Sequence, residues 1–304
     1  MHMKNIQKAA MAVCLAGILF SGCGSQKAAT PPPASSAQEE AEKAQDIVDP
    51  PKEETAAQLP YITVTKDFDN LQLGTADIPV YDAYTLAERR ANGMATALPE
   101  LTPYREKKVA YLTFDDGPDD VNTPAILEIL RKENVKATFY VVGRSALTYP
   151  DIVKQIFLEG HAIGNHSYDH DYDRLYASVS QYLEEMEHTD EILHGIIGVR
   201  PLVTRAPGGR IGHFTEEYVS ALAANGYVEH DWNVSSADTA PNHPVAQDFI
   251  DNIEGQATMD SPIILMHCSS GHEETVKALP GIIHVLRDRG YAFGVVTPMT
   301  PQPW

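Results

Sequence analysis

Two carboxylates lie side by side in the segment TFDDGP (113–118), which ends an apolar run. Two ionised acids this close repel each other unless a cation or a hydrogen bond offsets the repulsion. Because successive residues at a strand end point in different directions, one of Asp115 and Asp116 can bind a cation while the other faces a reacting water. A cation also lowers the free-energy cost of keeping both groups ionised. The alternative is an Asp-Asp-Gly-Pro turn that only caps a helix.

A pair of histidines supplies further metal-ligand chemistry. His166 and His170 are separated by three residues, a spacing that can bring two imidazoles to one metal ion. The chain contains 12 histidines, so this spacing alone is a weak signal. Two His and one Asp, however, form the ligand set of catalytic zinc-type sites, which keep one position open. We therefore expect one divalent ion, Zn²⁺ first, with Co²⁺, Mn²⁺ or Ni²⁺ as alternatives.

Seven short apolar runs follow Lys108, and amphipathic segments separate them. The runs are VAYLTF (109–114), ATFYVV (137–142), HAIG (161–164), PLVTR (201–205), YVEH (227–230), PIILMH (262–267) and YAFGVV (291–296). Among the separating segments, NTPAILEILRKEN places Ile126, Leu127 and Leu130 on one helical face. Strands that alternate with helices predict an α/β fold with a parallel sheet and right-handed crossovers. Near-continuously apolar strands favour a closed (β/α)7 barrel.

Five polar motifs fall at the ends of these predicted strands. TFDDGP ends the first strand, NHSYDH follows the third, TRAPGG ends the fourth, HDW the fifth and ILMH the sixth. In parallel barrels the carboxyl ends of all strands meet at one rim, where catalytic residues gather. The sequence therefore predicts one site built from all five motifs.

These motifs, in this order, resemble the polysaccharide deacetylases of carbohydrate esterase family 4, the NodB homology domain, over about residues 106–298. The segments ATFYVVG, GNHSYDHDY, DWNVSS and ALPGIIHVLRDRGY are also similar to bacterial peptidoglycan deacetylases. The resemblance implies an irregular (β/α)7 barrel. It also implies a metal-dependent hydrolase that releases acetate from the N-acetylglucosamine of cell-wall glycan, with peptidoglycan as the expected substrate.

The resemblance assigns roles to the residues of the first three motifs. Asp115 is implied as the general base, and Arg205 would bind and orient it. The metal ligands implied are Asp116, His166 and His170. These assignments give the two adjacent acids different roles: Asp115 as the base and Asp116 as a metal ligand.

The residues at the ends of the fifth and sixth strands are assigned as the general acid and as substrate contacts. The resemblance implies His267 as the general acid, with Asp231 hydrogen-bonded to it and favouring the protonated imidazole. It implies Leu265 as the floor of the acetyl-methyl pocket and Trp232 as an apolar wall of the groove.

The third motif, TRAPGG at the end of the fourth strand, departs from the family pattern. The backbone N–H after Pro207 is implied as an oxyanion donor, but Gly208 stands where family members often carry an aromatic residue, so a side-chain wall beside the sugar is missing. Tyr168 and Tyr172 flank the metal motif and could stack on a sugar or pack against the protein. Cys268 stands where Asp commonly follows the motif His, and we expect a small buried residue there.

Two other classes of function stay open at this point. One is an O-acetyl esterase on xylan or another polysaccharide, because the same site can cleave esters. The other is a non-catalytic glycan-binding lipoprotein, although binding alone needs no acid and base. A net charge of -19 over 304 residues, with no basic stripe, argues against a nucleic-acid partner.

The N-terminal part predicts export. In residues 1–23, Lys4 and Lys8 precede the run AAMAVCLAGILF, and FSGC resembles a lipobox ending at Cys23. We expect a membrane-anchored lipoprotein that faces the cell wall or periplasm; an ordinary cleaved signal or an uncleaved membrane helix is the alternative.

The remaining boundaries follow from composition. Residues 24–60 are rich in Ala, Pro and Glu and predict a disordered tether. Residues 61–105 predict an N-terminal extension of unknown role, 106–298 the deacetylase domain, and 299–304 a C-terminal tail. A monomer is the expected oligomeric state.

Overall fold

The computed structural model describes residues 60–303 of the chain. The predicted signal segment, and the tether up to residue 59, lie outside the described residues. Within residues 60–303, no helix combines the length and the apolar character that a membrane span requires.

Eleven strands are present in the described part of the chain. Their bounds are β1 (Ile62–Val64), β2 (Val80–Asp82), β3 (Val109–Gly117), β4 (Thr138–Val141), β5 (Ala162–Asn165), β6 (Arg200–Pro201), β7 (Val203–Thr204), β8 (Val228–Glu229), β9 (Val234–Ser235), β10 (Ile263–His267) and β11 (Ala292–Gly294). The main sheet is parallel, in the order β8-β7-β5-β4-β3-β10-β9, and β11 pairs with the start of β3. The predicted α/β fold is confirmed, and all seven predicted strands have counterparts in it.

The sheet differs from the predicted closed barrel in two respects. The short strand β9, which no apolar run predicted, adds an eighth member beside β10. Among the described residues β8 and β9 do not pair with each other, so the sheet curls but stays open between them. This opening corresponds to the irregular barrel that the family resemblance implies.

Helices cover the sheet. Their bounds are α1 (Leu86–Ala91), α2 (Asn122–Glu133), α3 (Gly143–Thr148), α4 (Pro150–Leu158), α5 (Tyr172–Leu175), α6 (Val179–Ile197), α7 (Glu216–Ala224), α8 (Ala246–Gln256) and α9 (Glu273–Asp288). The predicted apolar face of α2, with Ile126, Leu127 and Leu130, is fully buried in the main core. Phe114 of β3 and Phe139 of β4 stack in the same core, with ring centroids 5.2 Å apart. The helices thus anchor β3, the central strand of the site.

A β-bulge near the end of β3 separates the two adjacent acids. Phe114 pairs with Phe139 and Gly117 pairs with Val141, so three steps along β3 match two along β4. The extra residue lies in the Asp115–Asp116 region, and Asp116 has a φ of 70°, which is rare for a residue with a side chain. The bulge therefore turns the two carboxylates in different directions.

The N-terminal extension packs onto the strands that carry the site. Strand β2 pairs antiparallel with β6, and the hydroxyl of Tyr81 accepts a hydrogen bond from the Ile163 N–H at 2.9 Å. Asp82 is fully buried between Arg89 (2.6 Å) and Arg200 (2.9 Å). The extension thus contributes a charge that neutralises an arginine of the main domain.

The C-terminal segment is also packed into the fold. Met299 and Thr300, which the sequence assigned to the start of a tail, are buried. The Met299 carbonyl accepts from the Tyr104 N–H at 2.9 Å, which ties this segment to the end of the N-terminal extension.

We predict that Asp82→Ala lowers the free energy of unfolding by about 3–5 kcal/mol, because it leaves the buried guanidinium of Arg89 without its carboxylate and leaves Arg200 with Asp190, at 3.4 Å, as its remaining carboxylate partner within residues 60–303. Urea denaturation of residues 60–303 measures the change. Glu187→Ala, which breaks a partly exposed ion pair with Arg90, is the matched control and should cause a much smaller loss. Equal losses in the two variants would contradict this account of Asp82.

Candidate active site

Three predicted metal ligands converge at the rim of the sheet. Oδ1 of Asp116 lies 3.3 Å from Nε2 of His166 and 3.2 Å from Nε2 of His170. Asp116 follows the bulge of β3, His166 follows β5 directly, and His170 lies in the turn before α5. Oδ1 of Asp116 is buried and has no hydrogen-bond partner within residues 60–303. An orphaned carboxylate oxygen facing two imidazole nitrogens fits a divalent cation.

The backbone around His166 fixes the direction of its ring. Nδ1 of His166 lies 2.9 Å from the carbonyl oxygen of Arg205. A carbonyl can only accept, so Nδ1 carries a hydrogen, and Nε2 is the ring nitrogen that could bind a metal ion beside Asp116. Ser167 and His170 have φ values of 66° and 61°, in the left-handed region. Such conformations persist where the surrounding structure holds them, and here they aim both rings at one point.

A buried polar chain supports the turn that carries these histidines. Oδ1 of Asn165 accepts from the Ser167 N–H at 3.0 Å, and its amide nitrogen donates to Asp190 at 2.7 Å. Asp190 in turn accepts from the Tyr227 hydroxyl at 2.7 Å and pairs with Arg200 at 3.4 Å. Since Arg200 also binds Asp82 of the N-terminal extension, the metal turn is linked to that extension through buried polar contacts.

The candidate base lies beside this triad. Oδ1 of Asp115 accepts from Arg205 at 2.8 Å, while Oδ2 lies 3.8 Å from Nε2 of His166. The guanidinium of Arg205 is fully buried and also donates to Oγ1 of Thr113 at 2.7 Å. One carboxylate oxygen is thus fixed, and the other faces the triad.

The candidate acid is held by an aspartate that the sequence did not predict. Nδ1 of His267 lies 2.9 Å from Oδ1 of Asp238, and the His267 backbone N–H donates to Oδ2 at 2.7 Å. Thr275 donates to the same oxygen at 3.0 Å. Burial alone would lower the pKa of His267, but Asp238, with smaller contributions from Asp115 and Asp116, raises it to about 9. His267 is therefore protonated at neutral pH in the metal-free protein.

Strand pairing brings the acid and the base together. His267 and Asp115 are directly paired residues on the neighbouring strands β10 and β3. The site thus places a carboxylate and an imidazole on adjacent strands, next to a three-ligand metal triad.

Comparison with known proteins agrees with this geometry. Residues 103–229 match the family model described as polysaccharide deacetylase. The chain is 35% identical over 193 residues to a peptidoglycan-N-acetylglucosamine deacetylase of Bacillus cereus, covering 62% of this chain and 69% of that protein. The chain belongs to the polysaccharide deacetylase family.

Solved structures show the same fold. A carbohydrate esterase family 4 esterase from Streptococcus mutans superposes with a TM-score of 0.60 at 31% identity, covering 68% of this chain and 94% of the other. A polysaccharide deacetylase from Bacillus cereus superposes with a TM-score of 0.59 at 34% identity, covering 62% and 92%.

The prediction that Asp231 of this deacetylase bonds to His267 is wrong. Both carboxylate oxygens of Asp231 accept from the Arg210 N–H, at 3.2 and 3.1 Å, and its carbonyl accepts from Arg205 at 3.0 Å. Asp231 is the second residue after β8, whereas the chain must continue through β9 before it reaches the strand that carries His267. Asp231 therefore organises the loop after Gly209, and Asp238 takes the role beside His267.

The predicted substrate contacts lie around the same opening. Leu265 is on β10 two residues before His267, so both side chains are on one face of the strand, and Leu265 is 8% exposed. Trp232 is half-buried, and Gly208 is exposed while Pro207 is buried. The Gly208 N–H has no acceptor among residues 60–303, which leaves it free to donate to a substrate oxygen.

Cys268 is buried behind the site. Its Sγ lies 3.4 Å from the Asp115 carbonyl oxygen, and its backbone N–H donates to the same oxygen at 3.1 Å. A Cβ added at Gly117 would collide with this sulfur. Burial raises the pKa of the thiol well above its ordinary value, so Cys268 serves as a packing residue under the bulge.

We predict that Asp238→Asn lowers the pKa of His267 from about 9 toward the ordinary value near 6.5, because it removes the charge that favours the imidazolium. NMR titration of the imidazole C–H signals in the metal-free protein measures this pKa. Asp231→Asn is the matched control and should leave it near 9. A larger change in the control than in Asp238→Asn would contradict the assignment.

Proposed function

We propose that this polysaccharide deacetylase is a metal-dependent hydrolase that removes the acetyl group from N-acetylglucosamine units of peptidoglycan. One observation carries the proposal: Asp115 and His267, a base and a protonated acid, are cross-strand neighbours beside the triad of Asp116, His166 and His170. The similarity to a peptidoglycan-N-acetylglucosamine deacetylase supports the choice of substrate.

The triad would hold one divalent cation, with Zn²⁺ as our first choice. When bound, such an ion supplies Lewis acidity, which polarises a carbonyl and lowers the pKa of water. The protein contributes the geometry: the Arg205 carbonyl fixes the tautomer of His166, and the left-handed turn fixes His170.

The attack is assigned to water activated by Asp115. Arg205 holds Oδ1, so Oδ2 is the oxygen available to take the proton as water adds to the acetyl carbon. The carbonyl π electrons move to oxygen, and the exposed N–H of Gly208 donates to the oxyanion that forms.

The collapse of this tetrahedral species is assigned to His267. The oxyanion electrons re-form the C=O bond, the C–N bond breaks, and its electron pair takes the proton of His267. Asp238 stabilises the imidazolium before transfer and holds the ring by Nδ1, which leaves Nε2 as the donor atom. The products are acetate and a free amino sugar.

The substrate class is tested by acetate release. We predict release from N-acetylglucosamine oligomers and purified peptidoglycan in the presence of added Zn²⁺, with Asp115→Asn as the inactive matched control. Acetylated xylan tests the alternative, an O-acetyl esterase, which the description of the Streptococcus mutans structure as an esterase favours. Release from xylan alone would overturn the amide substrate. Oligomer binding without any release would indicate a non-catalytic glycan-binding protein.

The roles of metal and acid are separated by two variants. We predict that His166→Ala loses both the metal and the activity, because a buried ligand is removed. His267→Ala should keep the metal and slow turnover by about a hundredfold or more, because the leaving nitrogen loses its proton donor. Elemental analysis of the purified variants, together with acetate release, measures both. Equal metal loss in the two variants would refute the division of roles.

We also propose that the chain is exported and lipid-anchored at Cys23. The support is the sequence of residues 1–23, with its basic start, apolar run and FSGC. An anchor followed by a Pro- and Ala-rich segment suits a domain that must reach an insoluble polymer from a membrane surface.

A further inference from the structure

Position 208 leaves room beside the metal triad, and a tyrosine from another motif fills it. Gly208 has a φ of 75° and is exposed. A Cβ at this position would lie 2.8 Å from Oη and 2.9 Å from Cε1 of Tyr172. The ring of Tyr172 therefore covers the place where a side chain at 208 would begin.

Tyr172 is attached directly to the metal motif. It is the first residue of α5, two positions after His170, and its ring meets the His170 ring edge-on with centroids 5.3 Å apart. The side chain is nevertheless 43% exposed, and its hydroxyl has no hydrogen-bond partner within residues 60–303. The ring thus presents both apolar surface and a polar tip to solvent at the mouth of the site.

Neighbouring rings hold Tyr172 from behind. Tyr176 and His213 stack on each other at 4.1 Å and lie 6.0 and 5.8 Å from Tyr172. The Tyr176 hydroxyl donates to the Pro207 carbonyl at 2.7 Å, which joins this aromatic group to the turn of Gly208. The exposed ring is therefore preorganised, which reduces the entropy lost when it contacts a ligand.

The other tyrosine beside the metal motif has a different environment. Tyr168 stacks on His188 of α6, with centroids 4.3 Å apart and planes at 16°. Of the two tyrosines near the histidines, Tyr168 packs against a helix and Tyr172 faces the opening.

We propose that Tyr172 is the sugar-contacting wall of the substrate groove, in place of a side chain at position 208. Pyranose rings combine apolar C–H faces with hydroxyls, and an aromatic ring with a polar tip matches both. The ligand class is an N-acetylhexosamine oligomer, so the proposal rests on the proposed function. Tyr172 would determine substrate specificity by contacting the sugar, and it would take no part in proton transfer.

The test compares Tyr172→Ala with the matched control Tyr168→Ala, which removes the tyrosine between the two histidines of the same motif. We expect KM for N-acetylglucosamine oligomers to rise about tenfold in Tyr172→Ala. Its kcat/KM should fall about tenfold more on the oligomers than on 4-nitrophenyl acetate, which has no sugar. Tyr172→Phe should restore most of the affinity, and Tyr168→Ala should keep the wild-type ratio.

Calorimetry separates this proposal from the function on which it rests. The same oligomers are titrated into two Zn²⁺-loaded proteins, the Asp115→Asn variant and the Asp115→Asn, Tyr172→Ala double variant. We expect the Kd of the double variant to be about tenfold higher. This result would support Tyr172 even if the wild type released no acetate. An equal loss on both substrates, an unchanged Kd, or the same defect in Tyr168→Ala would overturn the proposal.

Discussion

The guanidinium of Arg205 is fully buried, and four oxygens from different strand ends accept its hydrogen bonds. Two belong to β3, the hydroxyl of Thr113 and the carboxylate of Asp115; the other two are the carbonyls of His230 and Asp231 after β8. A buried cation without such partners would destabilise the fold by several kcal/mol. The observed arrangement of the rim satisfies this charge, and it holds the carboxylate of Asp115, the candidate base, in one orientation.

The backbone of Arg205 positions the metal turn while its side chain positions the base. Its carbonyl accepts from His166, and its N–H donates to the Asn165 carbonyl at 3.1 Å. The side chain of Asn165 donates a hydrogen bond to Asp190, and Asp190 forms an ion pair with Arg200. The other carboxylate partner of Arg200 is Asp82 of the N-terminal extension. The extension, for which the sequence indicated no role, thus supports the metal turn from below. Because these groups are buried, displacing one leaves the next without a partner.

What the sequence could predict depended on how local the signal was. Asp116 lies at the end of β3, His166 follows β5 directly, and His170 follows His166 at metal-ligand spacing, so strand ends, spacing and ligand types together predicted them. Asp238 has no such signal, because it follows the two-residue strand β9, whose pairing with β10 depends on contacts distant in sequence. The family resemblance implied Asp231 for this role, and Asp231 directly follows the predicted strand YVEH (227–230). The segment NVSS (233–236), which precedes Asp238, contains a single apolar residue and so gives only a weak strand signal.

The same limit applies to the groove. Gly208 was read from the sequence as a missing wall, since the neighbour that fills the space lies 36 positions earlier in the chain and only the fold joins them. Spacing does not distinguish Tyr168 from Tyr172, because each tyrosine follows a histidine of the pair by two positions. Their difference arises from α6, which gives one tyrosine a stacking partner and leaves the other at the opening. Local sequence patterns do not predict features that depend on such long-range packing.

A cation bound at the triad would increase the share of Asp238 in raising the pKa of His267. In the metal-free protein, Asp115 and Asp116 help Asp238 to raise the pKa of His267 to about 9. A divalent cation at the triad would offset the effect of Asp115 and Asp116 on the pKa of His267. Asp238 contacts Nδ1 of His267 at 2.9 Å, and its effect on this pKa does not depend on these two acids. The His267–Asp238 pair stabilises the fold fully below the unfolded pKa near 6.5, and this stabilisation is lost as the pH rises through the folded pKa. Asp238 would therefore favour the protonated form of His267 even with a divalent cation bound at the triad.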